Sequence, residues 1–199
     1  MEKIAFFDFD GTITKRDTLL DIVIYSFGIV HFLRGIVKLS PFFILFYLKV
    51  ISNNYLKTKF ISYFFKGLDT NELNNICGKY CSERLHSIIY KEALTKIYYF
   101  LDNNINVVIV SASPENWIKP WANSIGINRV IASKLECDKN NIVTGNLLGS
   151  NCFGQEKVNR IKEYYSNIDN YFIYAYGDSR GDKEMLSIAN EPYYKIFKR

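Results

Sequence analysis

Phe6-Phe7-Asp8-Phe9-Asp10-Gly11-Thr12 sets two carboxylates two positions apart at the end of an apolar run and follows them with a chain-reversing glycine. Lys3 to Phe9 reads as a short buried strand. Ile4, Ala5, Phe6 and Phe7 form the continuous apolar run expected of a parallel sheet covered on both faces. Carboxylates at the end of such a strand project at the carboxyl edge of the sheet, where open α/β folds bind their ligands. Two anions held that close require a cation or a shared proton. The stretch therefore predicts chemistry as well as fold.

The same alternation resumes from residue 90 onward. Lys91 to Asn103 reads as a helix, and Asn106 to Val110 as a buried strand ending in Ser111-Ala112-Ser113-Pro114. Pro114 suits the start of the next helix, and Ser113 reads as its cap. Val130 to Ala132 is a short strand, Leu135 to Leu147 a hairpin turning at Lys139-Asn140-Asn141, and Gln155 to Tyr165 a helix. Tyr171 to Tyr176 is a strand ending in Gly177-Asp178, and Tyr193 to Phe197 is read as the last strand. Strands alternating with helices imply right-handed crossovers and a doubly wound, Rossmann-like α/β fold, with helices on both faces of a parallel sheet.

Residues 15–90 interrupt that pattern just after the first strand. They are read as an inserted helical cap, leaving residues 1–14 and 91–199 as the catalytic core. The insertion is densely apolar and aromatic. A transmembrane helix needs about 18 or more uninterrupted apolar residues. Here Asp21, Arg34, Lys38 and Lys49 break the runs, and Gly35 and Pro41 punctuate them. Helices are therefore expected near 17–33, 41–52, 55–66 and 70–85, packed as a small bundle. Part of its apolar surface is a candidate for contact with an apolar substrate or, transiently, a membrane surface.

With 48% hydrophobic and 23% charged residues over 199 positions, the chain has the make-up of a soluble globular protein, which argues against disorder. The net charge of +5 points to anionic ligands. No basic block interleaved with aromatics and no nucleic-acid motif is present, so nucleic acid is not an expected partner. Cys77, Cys81, Cys137 and Cys152 have neither CxxC nor zinc-ribbon spacing and read as reduced thiols of a cytoplasmic protein. Lys3 leads straight into the first strand, so no signal peptide is expected.

Three strand ends now carry polar groups: Asp8 with Asp10, Ser111 with Ser113, and Asp178 with Asp182. In a doubly wound sheet these ends converge on one crevice. Acids converging from distant positions suggest a hard cation such as Mg²⁺. A calcium loop starting at Asp8 fails, because Thr12 replaces the third acidic ligand, Ile13 the required glycine and Leu19 the terminal glutamate. No GxxxxGK[ST] phosphate loop occurs.

Asp8-Phe9-Asp10-Gly11-Thr12, Ser111, Lys157 and Gly177-Asp178-Ser179-Arg180-Gly181-Asp182 resemble, in order and spacing, the four-motif signature of the haloacid dehalogenase superfamily. Ser111-Ala112-Ser113-Pro114, Cys152 to Lys157 and Gly177-Asp178-Ser179 are closer still to subfamily IB, which includes phosphoserine phosphatases and a bacterial phosphatidylglycerophosphatase. The resemblance implies Mg²⁺-dependent hydrolysis of a small phosphomonoester. Asp8 would be the nucleophile, Asp10 the general acid and base, and Lys157 a balancing cation. Asp8 and Asp178 would ligate the metal by carboxylate and Asp10 by its backbone carbonyl. Ser111, Ala112 and Thr12 would bind phosphate, and Asp182 would orient metal waters or Lys157. Asp17 stands where phosphoserine phosphatases have a glutamate, so it is a candidate substrate contact. Their arginine-bearing cap motif has no good counterpart, since this region offers Lys57-Thr58-Lys59 instead. The leaving group is therefore open among amino-alcohol, sugar-pathway and lipid-headgroup phosphates. A phosphotransferase and a non-catalytic binding protein on the same fold are the alternatives.

Overall fold

The computed structural model describes residues 1–198. Its five-stranded sheet is parallel throughout. Strand β1 (Glu2–Phe7) lies at the centre, flanked by β2 (Asn106–Pro114) and β3 (Arg129–Ser133) on one side. On the other side lie two further strands, numbered here β6 (Tyr171–Gly177) and β7 (Glu191–Tyr194). The doubly wound expectation holds. The pleat sends Ile4 and Phe6 into one core with Val108, Val110, Ile173 and Ala175. Ala5 and Phe7 enter the opposite core with Val107 and Ile109. This two-sided burial is why the first strand reads as an unbroken apolar run.

Between β1 and β2 come α1 (Thr18–Tyr47), α2 (Asn53–Phe65), α3 (Thr70–Glu83) and α4 (Lys91–Asp102). Helix α5 (Glu115–Ser124) joins β2 to β3. The hairpin β4 (Leu135–Cys137) and β5 (Val143–Leu147) then leads through α6 (Gln155–Tyr164) to β6, and α7 (Lys183–Ser187) precedes β7. The hairpin lies against the inserted helices. Gly67 N–H donates to Val143 O at 2.9 Å, and a Cβ on Gly145 would come within 2.7 Å of the Ser62 backbone.

Three sequence expectations need correction. The insertion does not break at Gly35 or Pro41: α1 (Thr18–Tyr47) is two helical stretches joined at a kink at Gly28 (φ 79°), and the second stretch runs on through both residues. Pro41 withdraws a backbone donor from Val37 O, but the Ser40 hydroxyl donates to that carbonyl at 2.8 Å. At Gly35 the side chains of α2 press against the α1 backbone, since a Cβ there would meet the Phe64 ring at 2.3 Å. Counted across the kink, α1 spans 30 residues and holds an 18-residue stretch of mean hydropathy 1.7, so by length and composition alone it is long and apolar enough to cross a membrane. Second, β7 pairs as Glu191–Tyr194, earlier than expected, because Pro192 is tolerated on an edge strand and Lys195 (φ 57°) turns the chain away. Third, Ser113 caps no helix: Pro114 occupies the N-cap of α5.

Candidate active site

Asp8 follows β1 directly. Its N–H donates to Tyr176 O at 2.9 Å, which extends the β1–β6 pairing by one step and brings the carboxylate to the crevice where the sheet reverses its winding. Lys157 arrives from the first turn of α6, 1% exposed. Its three ammonium protons match three acceptors: Asp8 Oδ1 at 2.6 Å, Asp182 Oδ1 at 2.6 Å and Val110 O at 2.8 Å. Burial alone would pull the Lys157 pKa down, but Asp8 and Asp182 outweigh it and hold it above the usual lysine range. Burial dominates at Asp8 and pushes its carboxyl up to about 7, against the pull of Lys157. At Asp182, burial is overcome by the charge and hydrogen bonds of Lys157 and by Ser179, so its carboxyl stays below the ordinary range.

Oxygens of Asp8, Asp178 and Asp182 all lie within 4.8 Å of one another, close enough for one ion. Their hydrogen bonds sort them. Asp182 Oδ1 is taken by Lys157, and Oδ2 accepts from Asp178 N at 3.1 Å, Ser179 N at 2.9 Å and Ser179 Oγ at 2.8 Å. Its lone pairs are committed to holding the loop and the lysine. Asp8 Oδ2 and Asp178 Oδ1 instead share one weak donor, the Thr12 hydroxyl, at 3.1 and 3.4 Å. Asp178 Oδ2 also receives Lys198 Nζ at 2.5 Å. Two hard carboxylates facing each other across a single hydroxyl suit Mg²⁺, which takes one or two carboxylates and keeps several waters. Gly11 (φ 81°) is required beside them, because a Cβ would stand 2.5 Å from Asp178 Oδ2.

Asp10 is held by a relay. Its Oδ1 accepts from both Thr18 N and Thr18 Oγ1 at 2.6 Å, and Thr18 Oγ1 accepts from Trp117 Nε1 at 2.9 Å. Burial, aided by the Asp17 charge, pushes the Asp10 carboxyl up to about 6 against these hydrogen bonds. Asp17 itself is the N-cap of α1, accepting from Leu20 N at 3.1 Å, and it also faces the cavity.

Above these groups lies a cavity of about 380 Å³. Asp8, Asp10, Lys157 and Asp178 line its floor, and Leu20, Phe43, Leu56 and Phe60 of the inserted helices line its roof. A lysine reaches down from that roof. Lys57 of α2 donates from Nζ to Ala112 O at 2.7 Å and approaches Asn151 Oδ1 at 3.5 Å. Burial lowers its pKa, while Asp10 and Asp17 oppose that fall. Ser111 is completely buried and its Oγ accepts from Ser113 N at 3.0 Å; Ala112 and Ser113 form the cavity wall itself. Thr12 is committed to the two carboxylates and lies outside that wall.

The model of the haloacid dehalogenase-like hydrolases matches residues 5–187. The chain belongs to this family. Protein CicA of Caulobacter vibrioides is 31% identical over 195 residues, spanning 98% of this chain and 86% of that protein. Among solved structures, a Bordetella pertussis Tohama I protein of unknown function superposes with a TM-score of 0.80 at 17% identity, over 94% of this chain and 86% of that one. A phosphoserine phosphohydrolase-like protein of Francisella tularensis superposes with a TM-score of 0.65 at 16% identity, over 96% and 85% of the two chains. At such identities these structural likenesses speak to the fold, which is the parallel haloacid dehalogenase-like sheet with helices inserted after the first strand. That position of the insertion is consistent with subfamily IB.

Within this family fold, Thr18, Trp117 and Lys57 were not among the candidate residues read from the sequence. Thr18 and Trp117 are 99 positions apart and carry no local motif. The one available signal for Lys57 was its place in the Lys57-Thr58-Lys59 stretch of the insertion. The four cysteines are free, and burial, the leading cause in each case, pushes their thiols up.

Proposed function

We propose that the protein is a Mg²⁺-dependent phosphomonoester hydrolase that acts through an aspartyl-phosphate on Asp8. The observation that carries this reading is the convergence of Asp8, Lys157 and Asp178 on the floor of one cavity, with Asp10 fixed beside them. A carboxylate oxygen of Asp8 forms a bond to phosphorus as the bond to the leaving oxygen breaks. Asp10 gives that oxygen its proton, and then takes a proton from the water that cleaves the aspartyl-phosphate. An anion attacking an anion needs neutralisation, which Lys157 supplies as a fixed buried cation. Mg²⁺, held by Asp8, Asp178 and the Asp10 carbonyl, would supply Lewis-acid charge neutralisation when bound. Asp182 positions Lys157 and the loop carrying Asp178, and Thr12 spaces the two carboxylates. The Ser111 hydroxyl, buried just behind the wall formed by Ala112 and Ser113, receives the Ser113 N–H and would have to turn its own proton toward the cavity to meet a phosphoryl oxygen, joined by the backbone at Ala112. Lys57 and Asp17 present one cation and one anion to the leaving group, which favours a small, polar, cytoplasmic phosphomonoester such as an amino-alcohol, sugar-pathway or headgroup phosphate.

The deciding experiment is a phosphomonoester screen with Mg²⁺ and with excess chelator, repeated on Asp8→Asn. Phosphate release that needs Mg²⁺ and disappears in Asp8→Asn supports the proposal, because an amide cannot attack phosphorus. Undiminished release by folded Asp8→Asn overturns it. Adding alcohol acceptors separates hydrolysis from phosphoryl transfer, since a transferase would make a new phosphomonoester in place of free phosphate.

A further inference from the structure

We propose that the distal part of α1 is a docking surface for an anionic lipid bilayer. Beyond the Gly28 kink, Ile29, Leu33, Val37, Ile44 and Leu48 recur at intervals of four or seven residues, so they share one helix face. All five are more than half exposed, Val37 by 73%. A contiguous apolar stripe of this length left exposed marks an interaction site. Its opposite side, with Gly35 and Leu39, packs against α2 and the core.

Charge identifies the occupant. Residues 22–68 contain six Lys and Arg and no Asp or Glu, while the rest of the chain is slightly acidic; of the six only Lys57 turns into the cavity over Asp8. Arg34 and Lys38, four residues apart, follow the stripe along one flank of the helix, and Lys49 comes just past its end. Lys38 lies over the Tyr63 ring at 5.4 Å and Lys59 over Tyr55 at 5.0 Å, so their stems cover apolar surface while the ammonium groups remain at its rim. Apolar surface edged by unpaired basic groups is the pattern of a helix lying in an anionic bilayer interface. A second copy is a poor occupant, because a two-fold interface would set the basic rows of both chains together. Spanning is also disfavoured. The first turns of α1 are tied into the protein by buried Asp21, which pairs with Arg84 at 2.9 Å and accepts from Tyr80 at 3.2 Å. The helix can lie on the membrane without leaving its place in the fold. Phe43 of α1 and Leu56 of α2 also line the cavity over Asp8, so the docking face and the roof of the site share two helices.

The test is co-sedimentation of the full chain with vesicles of phosphatidylcholine containing about one quarter phosphatidylglycerol, and with pure phosphatidylcholine vesicles. The protein should sediment with the anionic vesicles and be released by high salt. At a typical contribution of about 1 kcal/mol per basic residue, Arg34→Gln with Lys38→Gln should lower partitioning roughly 25-fold. Leu33→Ser with Val37→Ser should lower it more than tenfold with an unchanged melting temperature, both side chains being solvent-exposed. Absence of binding, or equal binding to both vesicle types, overturns the proposal. So does retention that only detergent reverses, which would mean insertion, or a dimer dissolved by Val37→Asp, which would assign the face to a second copy.

Discussion

Replacing Lys157 by Met removes a charge while keeping an unbranched chain of similar length. The structure gives that charge two anionic partners at 2.6 Å and an exposure of 1%, so no water can take its place without rearrangement. Breaking a buried ion cluster by deleting one member typically costs about 3–5 kcal/mol, because the remaining charges stay buried and uncompensated. Against a total stability of about 5–15 kcal/mol this is a large share. For a chain of this size it should lower the melting temperature by about 10 °C. The assay is thermal unfolding by circular dichroism in chelator, so that no metal supplies the missing charge.

The pH dependence gives the argument its sign. Burial already holds the Asp8 carboxyl at about 7, above its unfolded value of 3.8, with Lys157 opposing. Without Lys157 it must rise further. Between the unfolded and folded pKa values the folded state binds more protons than the unfolded one, so stability falls as pH rises through that window. The deficit of Lys157→Met should therefore be greatest above pH 7 and shrink on acidification toward pH 5. Adding Asp182→Asn should recover part of it, since one stranded anion is removed while the amide oxygen can still accept from Asp178 N and Ser179 N. Equal melting of parent and Lys157→Met at pH 7, or a deficit that does not shrink in acid, would refute the buried-charge reasoning.

Asp10 must be protonated to act as the acid, and its carboxyl titrates at about 6, so kcat/KM should decline on the alkaline side of that value. Asp10→Asn should cost about 10²–10⁴ in rate on alkyl phosphates, and much less on p-nitrophenyl phosphate, whose leaving group needs no proton; equal losses on both would argue against proton transfer by Asp10. Lys57→Met should raise KM for the preferred substrate about tenfold or more while leaving the melting temperature nearly unchanged, and an unaltered KM would remove Lys57 from substrate recognition.

The central strand and the chemistry at its end are legible in the chain because both depend on short-range pattern. Ile4 to Phe7 is apolar on both faces since the strand is buried on both, and Asp8 follows it at once. The glycines next to Asp178 and Asp10 likewise stand in motif. Even the secondary structure of the insertion is largely readable, except where a local substitute overrides a local rule, as the Ser40 hydroxyl does for Pro41. What the chain alone does not disclose is how committed each polar atom is. Asp178 and Asp182 look alike in sequence, four positions apart. Only their hydrogen bonds separate a carboxylate saturated by four donors from one with lone pairs to spare.

By itself, the sequence determined that a parallel α/β sheet carries an aspartate pair, a lysine and a further acidic loop to one edge, and that helices are inserted after the first strand. Tertiary structure decided the rest: that Trp117 and Thr18 hold Asp10, that Lys57 enters from the roof, and that α1 leaves an apolar stripe bare. The division has a physical cause. Strand burial, turns and motif spacing are set by neighbours in the chain. Hydrogen-bond saturation and exposure are set by neighbours in space, which for Lys157 and Asp8 lie 149 residues apart.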